Sequence, residues 1–176
     1  MPAKARREVI DESEVGVYHL WGRTVRRAFL IGKDPVTGRD YSHRKDVFEK
    51  RLELLLSLFS IECLDSAALD NHIHLIVRNR PDLAALLTDW QVAERWLRLK
   101  RGDLDLLAPP TRMAIDGLVA NAKKLRKIRR RLSSISWFMA YLREPLAKRF
   151  NFEDKVSGCF WAGRFGAERL TTETSL

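Results

Sequence analysis

The period of the polar and apolar positions changes several times along the chain, and each change marks an element. Over residues 70–78 apolar and polar side chains alternate with a period of two, the mark of a half-buried strand. His72, His74, Ile76 and Arg78 share one face of it; Ile73, Leu75 and Val77 share the other. Residues 15–21, rich in Val, Tyr and Trp, predict a second strand. Residues 61–69 predict a third, joined to the histidine strand by a hairpin through Leu69, Asp70 and Asn71. Residues 42–60 take the helical period instead, with Phe48, Leu52, Leu55, Leu56 and Phe59 in an apolar stripe and charges opposite.

Punctuation residues bound the remaining elements. Pro35 and Gly38 make 33–39 a turn, and Arg80-Pro81 closes the histidine strand before a short helical turn over 81–87. Thr88 and Gln91 have capping-box spacing, which predicts a helix to about Lys100 with Trp90, Ala93, Trp96 and Leu97 partly buried. Residues 102–110 read as a break. Beyond it Leu125, Ile128 and Leu132 recur at helical spacing within a strongly cationic stretch. Ser133 and Ser134 offer caps for a further helix, whose apolar face is Ile135, Phe138, Met139, Leu142 and Leu146. Pro145, which has no N–H, is expected to kink or restart that helix. A Gly-punctuated aromatic segment, Gly158 to Phe165, leads towards a last strand. Residues 1–14 read as a fraying polar tail. The expected organisation is one domain over 15–170, with a basic helical insertion near 103–132 and a tail over 171–176.

Composition narrows the class. A chain of 176 residues, 45% hydrophobic and 31% charged, suits one soluble globular domain with a real core. The net charge of +9 and pI near 9.9 make a polyanion the natural partner. Cys63 and Cys159 lack metal-type spacing and read as reduced, buried thiols of a cytoplasmic protein. No apolar run approaches the roughly 20 residues of a membrane span, and no apolar segment follows the basic N-terminus, so neither a membrane anchor nor a secretory signal is expected.

Three stretches carry candidate chemistry. Two histidines at alternate positions of a strand, His72 and His74, can grip one divalent ion; the plain alternative is a strand with two ordinary histidines. His19, alone in its strand, reads as structural. Arg23, Arg26 and Arg27, followed by Phe29, can contact phosphates and stack a base, or form a solvated basic edge. Lys123, Lys124, Arg126, Lys127, Arg129, Arg130 and Arg131 put seven cations in nine residues with no acid among them. Such a helix gains from a nearby polyanion by counterion release, and DNA or RNA contact outweighs a merely solvated face.

These residues carry a resemblance. Asn71-His72-Ile73-His74-Leu75 resembles the histidine–hydrophobe–histidine signature of the HUH single-tyrosine transposases, and within them the REP-associated tyrosine transposases. Tyr18-His19 with Arg26-Arg27 resembles that family's first strand and loop. Arg80-Pro81-Asp82-Leu83 follows the histidine strand as in many members. Phe150-Asn151, then Gly158, Phe160-Trp161 and Gly163-Arg164-Phe165, resembles its closing motif. The matches span roughly residues 17–169.

The resemblance implies an α+β fold, an antiparallel sheet with helices packed on one face (a ferredoxin-like HUH nuclease sandwich). It implies nicking and rejoining of single-stranded or hairpin DNA by tyrosine attack on a phosphodiester. A divalent ion, Mg²⁺ or Mn²⁺, is then expected on His72 and His74, with a third ligand on the late helix facing the sheet. Arg164 joins the arginines and the basic helix as an expected DNA contact, and a homodimer is compatible with the family.

The chain departs from the pattern at one place. The family nucleophile usually stands five residues before the Asn of the Phe-Asn pair, and that position is Leu146. Tyr141 lies five residues earlier; at about 100° per residue it points well away from the Leu146 direction unless a kink intervenes. The chain also stops earlier than the family commonly does, which suggests a truncated copy. Two functions therefore stand open from the sequence: a single-strand transposase using His72, His74, a metal and Tyr141, and an inactive relative that binds structured DNA or RNA without cutting. A structural metal site in a basic RNA-associated protein is a third.

Overall fold

In the computed structural model the described residues are 6–100 and 109–171. They form an α+β fold. Its strands are β1 (Gly16–Arg23), β2 (Ile61–Ala68), β3 (His72–Asn79) and β4 (Gly166–Leu170). Its helices are α1 (Arg6–Val9), α2 (His43–Leu58), α3 (Pro81–Leu86), α4 (Asp89–Lys100), α5 (Arg112–Val119), α6 (Ala122–Arg131) and α7 (Ile135–Glu153). The strands make one antiparallel sheet in the order β2-β3-β1-β4. No described helix is long and apolar enough to cross a membrane.

The alternation in β1 and β3 decides which face is covered. Tyr18, Leu20, Ile73, Leu75 and Val77 are buried in one cluster with Phe48, Leu52 and Leu55 of α2 and Phe138, Leu142 and Leu146 of α7. Burying each such side chain stabilises the fold by about 1.5–3 kcal/mol. The other face keeps Val17, His19, Trp21, His72, His74 and Ile76 half-buried. The helices thus cover one side, and the histidines lie on the opposite one.

Local signals set the helix ends. The Thr88–Gln91 box forms: the Thr88 N–H donates to Gln91 Oε1 at 2.8 Å and the Gln91 N–H to Thr88 Oγ1 at 3.2 Å. Ser134 Oγ accepts from the Trp137 N–H at 3.3 Å at the start of α7. The hairpin between β2 and β3 closes by a Leu69 N–H to His72 carbonyl bond of 2.8 Å.

Several expectations are corrected. The stretch before β1 is anchored: Ile10 is buried, the Asn79 side chain donates to the Glu14 carbonyl at 2.9 Å, and Glu12 accepts from the Ser134 hydroxyl at 2.6 Å. Pro145 does not end or restart α7, which runs unbroken from Ile135 to Glu153. Not every charge of α2 lies opposite its stripe: Arg44 and Arg51 fall on the same face as Phe48 and Leu55 and are buried with them. Arg44 reaches Asp154 at 2.6 Å and the Leu30 carbonyl at 2.9 Å. In α4 the buried residues are Val92, Ala93, Trp96 and Leu99, while Trp90 is exposed. Cys63 is half-buried and Cys159 exposed, both as free thiols. The expected break over 102–110 lies mostly outside the described residues. Between it and the basic helix stands α5, which the periodicity did not single out; its Ile115 and Leu118 join the same core as Leu125 and Ile128 of α6.

Candidate metal and phosphate site

Antiparallel pairing brings three histidines together. His72 and His74 stand on the open face of β3, their ring centroids 4.9 Å apart and their planes at 79°. His74 is the Cα partner of Trp21, which sets His19, two residues before it on β1, beside the pair. His19 Nε2 lies 2.7 Å from His74 Nδ1. The two rings are nearly coplanar, 13° apart with centroids at 5.0 Å, as an in-line N–H···N bond requires.

The neighbours of each ring select its protonation. Asn71 Nδ2 donates to the Arg27 carbonyl at 3.2 Å, so its amide oxygen is turned to His72. His72 Nδ1 donates to that oxygen at 2.6 Å, leaving the lone pair of a neutral ring on Nε2. When His74 Nδ1 donates to His19, its Nε2 lone pair is presented likewise. Burial holds the His74 imidazolium below the ordinary histidine value, and His19, His72 and Arg23 add repulsion. A neutral imidazole is the form that binds a metal. Each ring of the pair thus has a hydrogen-bond partner on Nδ1, which leaves Nε2 as its remaining nitrogen. Among the described residues no group of three or more His, Cys, Asp or Glu side chains is arranged to hold a metal.

The same end of the sheet gathers the arginines. Arg23 is the Cα partner of His72. Thr24, fully buried, donates its N–H to the Asn71 carbonyl at 2.9 Å and its hydroxyl to the Ala28 carbonyl at 2.6 Å. This holds the loop that carries Arg26 and Arg27, both with left-handed backbone (φ of 54° and 55°). The segment bearing Arg164 is tied in by the Val25 N–H to the Phe160 carbonyl and the Ala162 N–H to the Arg23 carbonyl, both 2.8 Å. Arg23, Arg26, Arg27 and Arg164 are all exposed. Four exposed arginines carried at the same end of the sheet as the two imidazoles give that end the charge a phosphate would need.

The basic helix lies elsewhere. The Leu132 carbonyl, just past α6, accepts from the Ser60 N–H at 2.7 Å, and Ser60 precedes Ile61, which pairs with Asn79. That is the other end of β3 from His72, about 23 Å along an eight-residue strand. Lys123, Lys124, Arg126, Lys127 and Arg130 are exposed. Two of the seven cations have partners among the described residues. Arg129 binds Asp89 at 2.6 Å and the carbonyls of Ala84 and Leu87, and Arg131 lies over Trp137 at 4.1 Å.

Tyr141 is not brought to the histidines. It belongs to the helix layer, on the covered side of the sheet, with its ring near Phe59, Trp96 and Trp137 at 6.0–6.2 Å. It lines a cleft of about 600 Å³ with Arg51, Leu99, Pro145 and Arg149. A separate recess of about 90 Å³ lies beside His19 and His74. Burial pushes the Tyr141 phenol above its ordinary value, which opposes nucleophile formation. Leu146 is buried in the same layer. Hence α7 packs against the face opposite His72 and His74, and the expectation of a third ligand on it facing the sheet does not hold. Tyr18 is buried with its hydroxyl on the Asp11 carbonyl at 3.1 Å, a structural role. The sequence missed His19 as part of the cluster, because only the β1–β3 register reveals it. No family model matches the chain, and no curated protein matches it.

Proposed function

We propose that the chain is a cytoplasmic, transposase-like protein of the HUH type that seats single-stranded, hairpin-forming DNA at the histidine end of its open sheet face. The observation that carries this reading is the register that sets Arg23 opposite His72, beside Arg26, Arg27 and Arg164. The arginines neutralise phosphates, and Asn71 and His19 orient the two imidazoles. His72 and His74 would hold a divalent ion, Mg²⁺ or Mn²⁺, which when bound polarises a phosphate oxygen and offsets its charge. The exposed cations of α6 offer a second phosphate contact at the far end of the sheet.

Binding without cleavage is the reading the geometry supports best, because Tyr141 and the histidines lie on opposite sides of the sheet. Nicking and rejoining is the second reading. Its support is the fixed tautomer of His72, which simple phosphate binding does not need. The test is incubation with labelled hairpin DNA and Mn²⁺, followed by denaturing electrophoresis. Salt-sensitive binding with no denaturation-resistant adduct is expected. An adduct lost on Tyr141→Phe would overturn it in favour of nicking. An adduct restored by mixing Tyr141→Phe and His72→Ala chains would further require a homodimer that shares its sites.

A further inference from the structure

We propose that Trp21 is a stacking platform for an unpaired base of the DNA, next to the phosphate site; this rests on the function proposed above. Alternation along β1 puts His19, Trp21 and Arg23 on the open face together. Trp21 pairs with His74 on one side and with Gly166 of β4 on the other. Gly166 is what lets the indole lie across the sheet. A Cβ at Gly166 would stand 2.1 Å from Trp21 Cε2, 2.4 Å from Cζ2 and 2.5 Å from Nε1. The ring therefore covers the β4 backbone where any other residue would lift it off. Trp21 stays half-buried on the side that the helices leave open.

The neighbours suit a base. The His19 ring sits 5.2 Å from the indole at 39°, extending the aromatic surface towards His74. Arg23 follows two residues along the strand, about 6.6 Å away, within reach of the phosphate of a nucleotide whose base lies on Trp21. Two other tryptophans are held from within: Trp96 is buried, and Trp161 donates its indole N–H to the Arg143 carbonyl at 3.0 Å. No hydrogen bond among the described residues holds the Trp21 indole N–H. An aromatic on an open sheet face flanked by cations is the arrangement by which sheets bind unpaired bases, and stacking tolerates any base.

The experiment compares two labelled hairpins by fluorescence anisotropy. One carries an unpaired extension, and the other has abasic residues throughout that extension. Wild type is expected to bind the first about tenfold more tightly. Trp21→Leu is expected to abolish that ratio and keep the salt dependence, and Trp21→Phe to keep most of the ratio. Gly166→Ala, which retains the indole but lifts it from β4, is expected to lower the ratio and stands in should Trp21→Leu fail to fold. Equal affinity of wild type for both hairpins would overturn the platform and leave the phosphate site standing. A ratio that persists in Trp21→Leu and Gly166→Ala would also overturn it. No binding of either hairpin by wild type would overturn both the platform and the function beneath it.

Discussion

The backbone carbonyl of Tyr141 receives two hydrogen bonds from Arg51, 3.2 Å from Nε and 2.8 Å from Nη2. In an ordinary helix that carbonyl would accept from the N–H four residues later, but residue 145 is proline. Arg51, buried on α2, supplies the missing donors, and α7 continues through Pro145. The Arg51→Met variant is expected to lose about 1.5–3 kcal/mol in urea unfolding, since a charged donor is removed from a buried acceptor. In a Pro145→Ala background, where the helix can satisfy its own carbonyl, the loss is expected to be smaller. Equal losses in both backgrounds would separate Arg51 from the proline.

Asn71 fixes His72 without being a ligand. Asn71→Ala is expected to weaken Mn²⁺ binding about 10–100-fold by calorimetry, because the His72 ring and tautomer are freed. DNA binding in chelator is expected to change little. Unaltered Mn²⁺ affinity would mean that the 2.6 Å bond to His72 does not orient a ligand.

The cations of α6 divide into two kinds. Neutralising Arg126, Lys127 and Arg130, all exposed, is expected to flatten the salt dependence of DNA binding by about 0.7–0.9 in log–log slope for each phosphate left without its cation. Arg129→Gln is expected instead to lower the melting temperature, since Asp89 and the carbonyls at the end of α3 lose their donor. An unaltered slope in the first variant would exclude α6 from phosphate contact.

His74 sets a pH dependence of stability in the metal-free protein. Its folded value is lowered, so between that value and the ordinary 6.5 the unfolded chain binds the proton and the fold does not. This contribution is fully present above the unfolded value, and it is lost as pH falls through the folded one. Melting temperature is expected to fall on acidification below about pH 6.5, and less steeply in His74→Asn. Identical pH profiles for the two proteins would contradict the assignment.

The features legible in the sequence obey local rules. The period of β3, the Thr88–Gln91 box and the Ser134 cap each depend on residues within a few positions, and each formed where expected. The features hidden in it depend on contacts distant along the chain. The carbonyl that Pro145 leaves without an N–H is satisfied by a residue about ninety positions away. His19 looks solitary until β1 pairs with β3. Ile10 sits in a polar stretch, yet it is buried. Helix α5 has eight residues, with Ile115 and Leu118 as its buried anchors, too little periodicity to stand out after Pro109 and Pro110. The arginines and histidines were each visible as candidates, but their meeting at one end of the sheet required the strand order. Tyr141 was a candidate by position on its helix, and the layer that helix occupies removes it from the histidines.

The proposed function turns on His72 and His74 holding a divalent ion against a DNA phosphate. Pulsed electron paramagnetic resonance of Mn²⁺ with the protein and hairpin DNA reads both bonds at once. The expected spectrum has ¹⁴N coupling from directly bound imidazole and ³¹P coupling from phosphate on the same ion, and the ¹⁴N signal disappears in the His72→Ala/His74→Ala double variant. Phosphorus coupling alone in wild type, from an ion held by DNA without the protein's nitrogens, would contradict it.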